Sequence, residues 1–158
     1  DVSATSTTVN AETGSGTKLN ISFDDYGTGT GAAGIRVLYG SSIISNPGTT
    51  PGTNGVLAYS DNTSWIGTNA NFTITVDAFG RVTVKMNGVA LLSNVQLPSD
   101  YLTSNKATWS HVIKARTGGL SMLHQIDDLN ITYQSSGKLA TGSTYPSQIS
   151  TKIGRAHV

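Results

Sequence analysis

The 158-residue chain has no cysteine. That excludes a disulfide framework and any thiolate metal site, so oxidative chemistry says nothing about its compartment. Glutamate is almost missing too: Glu12 stands alone, and charged residues make up only 12% of the chain. With few strong helix formers and no sustained apolar spacing of three and four, a helical architecture is excluded. No apolar run approaches the roughly eighteen residues of a membrane-spanning helix, so no membrane insertion is expected. A formal charge of +1, with lysine and arginine dispersed, offers no footprint for nucleic acid or an anionic membrane, and neither is expected as a partner.

What fills the chain instead is glycine, present 18 times, with serine, threonine and asparagine between short β-branched runs. This is the composition of strands and turns, and the length suits one domain with a real core. Residues 1–16 read as a linker or an edge strand. Leu19, Ile21 and Phe23 then alternate with polar residues, as do Ile35, Val37 and Tyr39, followed by a turn at Gly40–Ser42 and a return at Ile43–Ile44. Further strands are expected at 55–60, around Trp65, and at Phe72–Val76, Val82–Met86 and Val89–Leu92. Ala78–Gly80 and Asn87-Gly88 read as the turns joining the last three. After a loop from Leu97 to Lys106, Trp109, His111, Ile113 and Ala115 share one parity. In the final strand the apolar parity switches at Asp127-Asp128, which calls for a bulge. Antiparallel strands this frequent predict an all-β sandwich of two sheets, with Phe23, Ile35, Val37, Ile74, Val76, Val84, Trp109, Ile113 and Ile126 in its core.

Beyond Gln134 the sequence reads as linker through residue 151. The codons ATC GGA AGA GCA CAC GTC, which spell a common short-read sequencing adapter, encode Ile153 to Val158, so residues 152–158 are expected to be an adapter-derived artefact on a fragment of a longer protein. Removing Lys152 and Arg155 reverses the sign of the net charge, which therefore decides nothing about partners.

Four segments carry a family resemblance: Leu19-Asn-Ile-Ser-Phe-Asp-Asp-Tyr26, Gly34-Ile-Arg-Val37, Ala115-Arg-Thr-Gly-Gly119 and His124-Gln-Ile-Asp-Asp-Leu-Asn-Ile131. Over residues 17–133 the chain resembles bacterial concanavalin A-like lectin/glucanase domains, which implies a jelly-roll sandwich of two antiparallel sheets. It also implies an extracellular or cell-surface location and a glycan or cell-surface polysaccharide as partner, within a longer chain of neighbouring domains. The departures are informative. The metal sites of legume-type lectins begin with an acidic residue where Ser22 stands; Asp24 remains, but 28–33 contains no carboxylate. Calcium needs six to eight oxygens, several of them anionic, so no cofactor is expected. A weak single calcium would have to use Asp24, Asp25 and Asp127 with carbonyls of Gly27–Gly31.

Glycan hydrolysis requires two carboxyl groups about 5 to 9.5 Å apart across a cleft. One glutamate and two aspartate doublets, Asp24-Asp25 and Asp127-Asp128, whose members alternate faces of an ideal strand, do not supply that pair, so no catalytic residue is assigned. His111 follows the parity of Trp109 and Ile113 and reads as a core histidine. A sugar-binding sandwich combines an aromatic platform with amide and carboxylate acceptors. The candidates are Asp25, Tyr26, Tyr59 and Trp65, joined by Arg116 and His124 near the Gly118-Gly119 turn. Trp65 could equally be core, and Arg116 could equally pair with Asp127 or Asp128. The function that the resemblance implies is a non-catalytic carbohydrate-binding or adhesive module of a larger extracellular protein. A structural spacer or surface-layer domain making protein contacts is the alternative, and a glycosidase comes third.

Overall fold

Apolar alternation aligns into rows once strands pair. In the computed structural model, which describes residues 19–25, 32–40, 47–106, 111, 113, 125–134 and 148–153, the chain divides into two compact units, Asp1–Lys114 and Ala115–Val158. In the first unit, β1 (Leu19–Asp24), β2 (Gly34–Tyr39) and β3 (Val56–Ser60) form an antiparallel sheet in that order. The register sets Leu19, Ile21 and Phe23 opposite Tyr39, Val37 and Ile35, so both strands turn their apolar rows to one face.

A second antiparallel sheet holds β4 (Phe72–Val76), β5 (Arg81–Met86) and β6 (Val89–Gln96), again in sequence order. Asn87 and Gly88 close the β5–β6 hairpin with φ of 50° and 83°, the left-handed pair that a two-residue turn of this kind demands. Ile35, Val37 and Tyr39 of the first sheet form one buried cluster with Val82, Val84, Leu92 and Leu97, the last just beyond β6. Each aliphatic side chain buried this fully contributes about 1.5 to 3 kcal/mol. The chain is thus all-β, two antiparallel sheets sharing a core; α1 (Ser99–Thr103) is the one helix among the described residues.

Several expectations need correction. Ile35, Val37 and Val84 are fully buried, but Phe23, Ile74 and Val76 are exposed although their parity points to the core face. They lie on β1 and β4, whereas the two sheets approach each other through the opposite end strands, β3 and β6, whose Val56 and Leu92 are buried. Ile113, outside the strands of the first unit, is exposed as well, and so is Ile126, which belongs to the second unit rather than to this core. Trp109 lies outside the described residues. The expected strand around Trp65 is a set of turns, because Asn62 Oδ1 accepts from the Ser64 amide at 3.2 Å and draws the backbone out of extension. The loop after Leu97 contains α1, entered directly from Pro98. The return at Ile43–Ile44 lies outside the described residues, and β2 takes β3 as its partner.

β2 departs from alternation altogether, since all six of its residues are buried. Leu38 pairs with Val56 across a register shift, and both are fully buried. Gly34, φ +146°, is required at the start of the strand: a Cβ there would stand 2.2 Å from the Ser60 carbonyl oxygen and 2.8 Å from Tyr59 Cε2.

In the second unit, β7 (Leu129–Gln134) pairs antiparallel with β8 (Gln148–Ile153), Leu129 opposite Ile153. β8 falls where the sequence places the end of a linker and the first adapter-derived residues. Asp128 adopts φ 52°, breaking the extended run at the point where the apolar parity switches.

Candidate functional site

Two residues after Gly34, Arg36 is 1% exposed, and a buried guanidinium must find acceptors for its donors. Its Nε donates to the Gly48 carbonyl at 2.7 Å, Nη1 to Asp24 Oδ2 at 3.2 Å, and Nη2 to the Ala32 carbonyl. Tyr59 lies under the guanidinium, 5.3 Å from ring centroid to Cζ, and donates its hydroxyl to the Ala33 carbonyl at 2.7 Å. Asp24 and Tyr59, two residues singled out for ligand chemistry, are therefore brought together around a third that the sequence did not single out. The only advance signal was an arginine inside a six-residue apolar strand. Alternation sends it outward, and its partner Asp24 becomes a neighbour only through register.

Trp65 is half-buried and donates Nε1–H to the Asn62 carbonyl at 3.0 Å. Its ring meets Phe23 edge-on at 5.9 Å and Phe72 at 6.4 Å, while Phe23 and Phe72 are 4.7 Å apart. These rings join β1 to β4 across the two sheets. Asp25 sits half-buried directly after β1. Tyr26, Arg116 and His124 lie outside the described residues, as do Gly27–Gly31. Asp127 belongs to the second unit, where its Oδ1 accepts from the Asp128 amide at 3.0 Å. Among the described residues, no three His, Asp or Glu side chains come together as a metal would require, and no helix is long and apolar enough to cross a membrane.

The β4–β5 turn holds a constellation that sequence reasoning passed over. Asp77 Oδ1 accepts from the amides of Phe79 and Arg81, each at 2.9 Å, and Oδ2 accepts from Arg81 Nε at 2.7 Å. The Arg81 amide bond holds the Asp77 carboxyl below the usual carboxylate range, with the guanidinium and the Phe79 amide adding to the effect. Arg81 lies over the Phe79 ring, 5.1 Å from its centroid, and Gln96 Nε2 donates to the Phe79 carbonyl at 3.0 Å. The signal for this site was present in Asp77-Ala-Phe-Gly-Arg81: an aromatic in a tight turn has nowhere to bury itself.

The same end of the second sheet carries α1. A Cβ on Gly80 would touch Leu102 and Tyr101 at 3.1 and 3.2 Å, which shows how closely the helix rests on the turn. Tyr101 meets Tyr39 edge-on at 6.2 Å, and Lys106 Nζ stands 4.4 Å over the Tyr101 ring. Burial, reinforced by the nearby Asp100 carboxylate, pushes the Tyr39 hydroxyl up to about 12, and burial also raises Tyr101.

Fold and site together define an all-β protein with two antiparallel three-stranded sheets around a shared core, a buried arginine network and an exposed aromatic turn. Set against protein-family models, curated proteins and solved structures, the chain has no match.

Proposed function

We propose that this chain is a non-catalytic carbohydrate-binding or adhesive module of a larger extracellular protein, built on a concanavalin A-like jelly roll and working without a metal. The observation that carries this is the face of the β4–β6 sheet turned away from the core. Thr73, Thr75, Lys85 and Gln96 stand exposed there, with Thr73 opposite Lys85 and Thr75 opposite Thr83. A sheet face of hydroxyl and amide groups, charged at Lys85 and at Arg81, the latter paired with Asp77, matches the hydrogen-bonding rim of a sugar and repels neither neutral nor weakly charged glycans. The resemblance of residues 17–133 to lectin-like domains points the same way, as an analogy of scaffold.

The test is retention of the full chain on an array of glycans and polysaccharides, with folding verified by circular dichroism. Retention on at least one glycan is expected. A folded chain retained by none would overturn the proposal and favour a structural or surface-layer domain. Ile74, Val76, Phe79, Val89 and Leu102 give that second reading its own support, since exposed apolar side chains in this number suit contact with another protein. It predicts association that rises with protein concentration.

A further inference from the structure

A ring 67% exposed at the tip of a tight turn is costly to keep in water and is ordinarily free to fold back. Phe79 is denied that freedom. Its amide is tied to Asp77 and its carbonyl to Gln96, and the next residue, Gly80, has φ +72° and lies against Leu102 and Tyr101. Arg81 covers one side of the ring while Asp77 holds Arg81 through Nε. No described residue accepts from the remaining N–H donors of that guanidinium.

We infer that Phe79, backed by Arg81, is the docking point for a neutral pyranose ring, an inference that rests on the carbohydrate-binding reading above. The apolar C–H face of the sugar lies on the open side of the phenyl ring, opposite Arg81, which holds the ring from behind. The flat, open face of the ring selects this ligand, because a flat sugar face needs only a flat partner. Asp77 selects it again by neutralising Arg81, so an acidic sugar gains no net attraction. Because the ring is already immobilised, binding loses little conformational entropy there.

The experiment titrates the full chain with neutral oligosaccharides (cello-, laminari-, manno- and xylo-hexaoses) and an acidic one, a hexagalacturonate, by calorimetry. The wild type, Phe79→Ala and Phe79→Trp are compared, each checked for an unchanged melting temperature. Binding of at least one neutral hexaose is expected, weakened roughly tenfold or more in Phe79→Ala and kept or tightened in Phe79→Trp. Wild-type affinity in Phe79→Ala would overturn this site while leaving the carbohydrate-binding reading intact. Binding of the galacturonate alone would overturn the neutral ligand. A wild type that binds none of the probes, and is retained by no glycan on the array, would overturn both; self-association under those conditions would mark the turn as a protein contact.

Discussion

The same three chemical parts occur twice in this molecule, a carboxylate, a guanidinium and an aromatic ring, once around Arg36 and once around Arg81. In the first, Arg36 is 1% exposed and Asp24, Gly48, Ala32 and Tyr59 surround it. In the second, both charged side chains are about two-fifths exposed to water, 42% and 37%, and the ring stands out from the turn. The ion-pair distances, 3.2 and 2.7 Å, would rank the exposed pair as the stronger. Environment reverses that order. Water screens an exposed pair almost to nothing, while a buried guanidinium that loses its acceptors has no solvent to replace them. The buried set is therefore structural and the exposed set is available to a ligand.

Removing each arginine breaks the comparison most directly. Arg36→Ala takes the donor from the Gly48 and Ala32 carbonyls and the ion-pair partner from the partly exposed Asp24, and should cost about 1 to 3 kcal/mol per stranded carbonyl in urea unfolding. It is expected to abolish folding if the domain is only marginally stable. Glycan binding by whatever fraction remains folded should be unchanged, which separates this arginine from Arg81.

Next in size are core truncations, which sharpen the contrast between central and edge strands. Ile35→Ala should cost about 2 to 5 kcal/mol, because it opens a cavity in the buried cluster. Ile74→Ala, on an edge strand and 44% exposed, should cost less than half of that. Equal losses at the two positions, read from urea midpoints at constant slope, would mean that Ile74 is covered after all.

Alkaline pH probes burial through Tyr39. Its folded value lies above the ordinary one, so the native state holds the proton more tightly than the unfolded chain does. The resulting stability, on the order of 2 to 3 kcal/mol, is fully present below pH 10 and is lost as pH rises toward about 12. Tyr39→Phe should flatten that part of the stability profile; a decline of undiminished size would assign it to other groups.

The smallest effect is expected at the exposed pair. Arg81→Ala should barely move the melting temperature while weakening glycan binding. Asp77 has a depressed carboxyl pKa, so its contribution is present above the usual carboxylate range and fades as pH falls through the folded value. Asp77→Asn should remove that acid dependence. A large melting shift in either variant would show that the turn is structural, like the Arg36 set.

Legibility in the sequence followed locality. Asn87-Gly88 announced its hairpin because two left-handed residues in a row leave few alternatives, and the apolar rows of β1, β4 and β5 were readable from period-two alternation, whereas β2 is buried on both faces. Of the expected sugar platform, Tyr59 lies in β3 and Trp65 in a set of turns, and which way an aromatic turns depends on what lies beside it. Tyr59 meets Arg36, and Trp65 meets Phe23 and Phe72, none of them adjacent in sequence. The turn at Phe79 was the reverse case, a local signal that could have been read, because five consecutive residues contain the carboxylate, the ring and the guanidinium.

By itself the sequence determined the β class, the strand faces and the tight turns, since these depend on residues within a few positions of one another and on the intrinsic limits of φ. Tertiary structure alone decided that Arg36 would be buried and Ile74 exposed. Parity names the face on which a side chain lies, but whether another layer covers that face depends on where the two sheets approach each other, which here is at β3 and β6 rather than at β4.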